Sequence, residues 1–145
     1  MSSNVYYFSS FKDLLDFIEA QMNNIEENVS ALKQRYDVVR ARAEKLRRLE
    51  KALEELVGEK ISSLNEIDFM GLRVVINARA VDELRVLEEA INSQEDSLSA
   101  LRRVHEVLKK LHDSLESSVG VDGLTIIVQT HYDIPIRILL KEPEE

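Results

Sequence analysis

The sequence predicts an α+β fold, a long antiparallel helical hairpin carrying a small antiparallel β-sheet. Three observations predict it. An apolar heptad repeat runs unbroken from Phe11 to Val57, a second and less regular heptad stretch runs from about 81 to 119, and short β-branched runs lie outside both. Composition agrees. The 145 residues include four Gly, two Pro and no Trp, with 32% charged and 44% hydrophobic residues, a balance rich in helix formers and poor in turns. That length suits a single domain spanning residues 1–145.

The first element is a strand over 4–8, Asn-Val-Tyr-Tyr-Phe, a short aromatic and β-branched run. Ser9 or Ser10 then caps a helix, because a serine oxygen accepts from first-turn amides, and Asp13 adds an acidic residue where the helix dipole favours one. The helix spans about 10–57. Its d positions are Phe11, Ile18, Ile25, Leu32, Val39, Leu46 and Leu53, and its a positions are Leu15, Met22, Val29, Tyr36, Ala43, Glu50 and Val57. Glu50 alone among these is neither apolar nor Tyr. A helix at period 3.6 drifts off a 3.5-residue seam, so six heptads of registry mean coiled-coil packing. At 1.5 Å per residue the helix is roughly 70 Å long, and Gly58 is placed to end it.

Residues 59–80 read as a mixed connector, with a helical turn over 61–66 and a strand over 72–77 that follows Gly71. The second helix covers 81–119. Its seam places Leu84, Ile91, Leu98, His105, His112 and Val119 at a, and Leu87, Gln94, Leu101, Leu108 and Leu115 at d, with Gly120 as its stop. Strands over 124–129 and 134–140 follow, joined by a turn over 130–133. Pro135 has no amide proton to give a ladder and belongs on an edge. The first and last strands belong to one sheet at the open end of the hairpin. The strand over 72–77 falls at the other end, where it needs a partner from elsewhere, unless the second helix breaks near Gln94.

Charge orients the pairing. Between Lys33 and Lys51 the first helix carries eight basic residues against three acidic ones, so a parallel, in-register homodimer would set like charge on like charge. An antiparallel return of the second helix, with seam pairs whose numbers sum to 137 (Leu46 with Ile91, Val39 with Leu98), brings the flanking Arg47 to Glu88, Arg40 to Glu95 and Glu26 to Lys109. A further stripe of apolar residues lies beside the seams: Leu49 and Leu56 on the first helix, Val104 and Leu111 on the second. A two-helix hairpin does not bury such a stripe, so these four are the candidate dimer or partner interface, with the sheet covering part of it.

Function classes narrow by what is missing. No cysteine means no disulfide, thiol catalysis or cysteine-bound metal. The first eight residues carry neither a basic start nor a long apolar stretch, and no run reaches the roughly 18 apolar residues of a membrane span, so a cytoplasmic chain without membrane contact is expected. There is no phosphate-binding glycine loop, nucleophile elbow or metal-ligand cluster, so no cofactor, no metal and no catalysis are expected. His105 and His112 lie two turns apart, about 10.5 Å along the axis, too far to chelate one ion; polar residues on a seam instead fix register. His131 sits with Tyr132 and Asp133 in a turn, where such residues serve geometry.

The expectation is therefore a non-catalytic scaffold or adaptor acting through coiled-coil self-association, as a homodimer, and through contacts with other proteins. The alternative is an accessory nucleic-acid-binding protein gripping phosphates with Arg35, Arg40, Arg42, Arg47 and Arg48. A net charge of −8 and the lack of aromatics among those arginines weigh against it.

Overall fold

The structure, a computed structural model, describes residues 3–57, 65–76, 79–118, 120 and 123–142, with the side chains of 50, 53, 54, 56, 57, 65–69 and 74–76 outside that description. Seven elements follow in order: β1 (Ser3–Phe8), α1 (Phe11–Val57), β2 (Asn65–Phe69), β3 (Leu72–Ile76), α2 (Ala80–Ser118), β4 (Thr125–His131) and β5 (Ile134–Lys141). The two helices form the hairpin that the heptads require. The chain divides into two compact units, 1–28 with 93–145, and 29–92.

The first unit holds the sheet. Its strand order is β1-β4-β5, antiparallel throughout. On β4 burial alternates strictly, with Ile126, Val128 and Thr130 buried and the residues between them half-buried. The buried row faces the helix pair. Phe11, Leu14 and Ile18 of α1, Leu101 and Leu108 of α2, and Ile126 and Val128 of β4 make one core. Tyr6 and Phe8 of β1 set their rings 5.0 and 5.3 Å from that of Phe17, tilted as aromatic pairs prefer.

Leu14 is absent from the expected seam yet has no exposed surface. Beside the sheet, the apolar face of α1 has to be wider than a two-helix seam, and Leu14 with Phe17 supplies the extra width. Ser10 caps α1 as expected, its Oγ accepting from the Asp13 amide at 3.1 Å. At the other end of α2, the Gly120 amide donates to the Leu115 carbonyl at 2.9 Å with φ at 76°.

The second unit holds the rest of both helices and the ladder between them. Val29, Val39, Ala43 and Ile91 are buried, all at expected seam positions, whereas Leu46 is exposed. The strand at Leu72–Ile76 is not alone. It pairs antiparallel with β2 in a separate two-stranded sheet, Ile67 opposite Val74. Residues 65 and 66, expected in a helical turn, belong to β2, while 58, 61–64 and 77 lie outside the described residues. The turn is Met70-Gly71, both at positive φ, 52° and 88°, the backbone of a two-residue turn whose twist suits a hairpin. α2 is continuous through Gln94. Its start is capped from within: Asp82 Oδ2 accepts from the Arg79 amide at 2.8 Å, the back-reaching half of a capping box.

Candidate interaction surfaces

The helix register departs from the charge pairing read off the sequence. Glu26 meets Arg102 at 3.0 Å instead of Lys109, seven residues earlier on α2. Nearby, His105 Nε2 lies 2.9 Å from Glu19 Oε1, an ion pair whenever the imidazole is protonated. His105, at a seam position of α2, is thus in contact with α1 across the hairpin. His112 stays on its own helix, beside Asp113 and Glu116, with the Phe11 ring 5.4 Å away. The His131 ring packs edge-on against Tyr132 at 4.5 Å. Among the described residues no three His, Asp or Glu side chains gather as a metal site would need.

Gln94, the polar intruder on the second seam, has a local reason. It lines a cleft of about 300 Å³ with Gln21, Asn24 and Ser97, closed by the Tyr132-Asp133 turn. Amides replace aliphatic packing where that turn approaches the helices. The Gln21 carbonyl oxygen is buried without a hydrogen-bond partner among the described residues, a cost of a few kcal/mol at most if water does not reach it.

The four stripe residues separate. Val104 and Leu111 pack, half-buried, against the core that contains Ile126 and Val128. Leu49 is 51% exposed. Leu56 is helical, and its side chain lies outside the described residues. The first two lie together under the sheet, and Leu49 belongs to the other unit.

The arginines also divide. Arg35 holds Glu83 through two hydrogen bonds, 2.8 and 3.1 Å. That contact raises the Arg35 pKa and holds the Glu83 carboxyl below its ordinary value. Arg40 pairs with Glu44 one turn on. Arg42 adds to the field on Glu83. Arg47 and Arg48 are exposed and carry no ion pair among the described residues.

Reasoning from the sequence missed a surface on the far side of the three-stranded sheet. Register sets Tyr7 opposite Ile127 and Ile127 opposite Leu139, one row across all three strands. Tyr7 is 71% exposed and Leu139 52%, with Ile127 half-buried between them. The signal was present in β5, Ile-Pro-Ile-Arg-Ile-Leu-Leu, which is apolar at nearly every place and so presents apolar groups to both faces.

No helix among the described residues is long and apolar enough to cross a membrane. Compared with known proteins, the chain matches no family model, no characterised protein and no solved structure.

Proposed function

We propose that this protein is a non-catalytic scaffold that works by self-association and by contacts with other proteins. One observation carries the reading: the apolar row Tyr7–Ile127–Leu139 on the outer face of the sheet. An antiparallel sheet with one wet face alternates polar against apolar. Here the helices cover one face, and the other carries this apolar row between the flanking rows of Gln129 with Arg137 and Thr125 with Lys141. Exposed Leu46 and Leu49 on α1 add a further apolar site. A contiguous exposed apolar patch marks an interface, and a second copy stacking sheet on sheet covers it symmetrically, about 10 Å apart. Light scattering on purified protein tests this. The expected result is the mass of two chains, returning to one chain with Tyr7→Lys and Leu139→Lys together; a single-chain mass for the wild type at micromolar concentration contradicts it.

The bare guanidiniums of Arg47 and Arg48 favour a second reading, an accessory nucleic-acid binder. Gel retardation at low salt that disappears in Arg40→Glu with Arg47→Glu, while the fold survives, supports it. No retardation at low salt dismisses it.

A further inference from the structure

A cleft of about 220 Å³ opens between α2 and the edge strand β5. Val104, Val107 and Leu108 form its helical wall, and Ile136 and Ile138 its strand wall. Val107 and Ile136, on opposite walls, are 56% and 60% exposed. Arg103 and Arg137 complete the lining, and among the described residues neither side chain has an ion-pair or hydrogen-bond partner.

The strand beside this cleft has an open edge. β5 is the last strand in the order β1-β4-β5, so among the described residues half of its main-chain groups lack a ladder. Pro135 and the register shift at Gln129/Thr130, which leaves Ile136 as the extra residue, blunt its first part. The run from Arg137 to Lys141 remains regular.

An open strand edge beside an apolar groove walled by a helix is the arrangement that accepts an added strand: main-chain hydrogen bonds hold the peptide and the groove selects its alternate side chains. We propose that this cleft binds an extended peptide that pairs with β5, places an aliphatic side chain between Val107 and Ile136, and brings carboxylates to Arg103 on the helix side and to Arg137 on the strand. The proposal rests on the scaffold reading and names one class of its partners. Charge decides the occupant. A second copy's β5 contains no carboxylate between Ile134 and Lys141 and so offers Arg103 and Arg137 no anion from its ladder; an acidic peptide finds two uncompensated cations. The volume also suits one or two side chains better than a drug-sized molecule, whose pockets run from about 300 Å³ upward.

The test is fluorescence anisotropy on the full chain. The probe is a short fluorescein-labelled peptide alternating Val and Thr and ending in Asp, Val and a free carboxylate. The control replaces Asp by Asn and amidates the end. At low salt the acidic probe binds roughly tenfold tighter than the control, Val107→Asp weakens it roughly tenfold, and Arg103→Glu with Arg137→Glu removes the preference. All three substitutions fall on exposed side chains, and an unchanged unfolding midpoint shows that the fold is intact. Equal binding of probe and control, full binding by Val107→Asp, or no binding of the probe overturns the proposal. So does laurate binding in the probe's place, or a dimer mass that Val107→Asp abolishes. A dimer that persists while the probe fails to bind removes this inference and leaves the scaffold reading standing.

Discussion

Leu14 and Leu46 look alike in the sequence and differ fully in the structure. Leu14 has no exposed surface and touches the core shared by both helices and the sheet; Leu46 is exposed on a seam position. Leu14→Ala is expected to cost about 2–5 kcal/mol, the range for emptying a packed leucine site, and Leu46→Ala less than about 1 kcal/mol. Urea unfolding of the two variants checks the contrast. Ser10→Ala removes a helix cap and is expected to cost about 1 kcal/mol in the same assay. The Arg35–Glu83 contact has a pH signature. The Glu83 carboxyl is held below its ordinary 4.5, so its contribution is fully present above that value and is lost as pH falls through the lowered one. Glu83→Gln is therefore less stable than wild type at neutral pH, and the gap closes in acid. The gap is small, because both groups face solvent. A gap that does not change with pH shows that the carboxylate charge plays no part.

The elements were legible where one local pattern decides them. Both helices follow from heptads, the Ser10 cap from its hydroxyl, and β1, β4 and β5 from β-branched and aromatic runs. β2 was missed although Ile67 and Phe69 alternate with Glu66 and Asp68, because its turn is Met-Gly and not the Asn-Gly that advertises a hairpin. Met70 is 91% exposed, with φ at 52°. Met70→Asn is expected to stabilise by about 1 kcal/mol, since Asn tolerates the left-handed backbone and Met loses no packing. The same unfolding assay reads it, and a lower midpoint would mean that the Met side chain holds the turn.

Helix register was not legible, for an energetic reason. A seam of Leu, Ile and Val accepts any shift by seven, and exposed charge pairs worth tenths of a kcal/mol are too weak to choose. The choice falls to the sheet. β1 ends two residues before α1, and β4 follows closely after α2, so the ladder that sets Tyr6 opposite Val128 holds one end of α1 against one end of α2. Glu26 then meets Arg102. The outer apolar row was hidden for a related reason: strand pairing, which local pattern does not give, is what lines Tyr7 up with Ile127 and Leu139.

At the scale of the whole molecule, the fold buries one side of its sheet and one seam of its helices and leaves large apolar side chains outside both. Tyr7, Leu139, Leu49, Val107 and Ile136 are all exposed. A net charge of −8 opposes association between copies, and burial of such patches is what would have to overcome it. Self-association uses the outer sheet face and peptide capture the free edge of β5, with Arg137 at the border of the two. The central claim is self-association through the outer sheet face. The measurement that bears on it most directly is mass by multi-angle light scattering across micromolar concentrations, for wild type and for Tyr7→Lys with Leu139→Lys. The account predicts two chains for the wild type and one for the variant at equal helicity. A wild type that stays single, or a variant that stays paired, contradicts it.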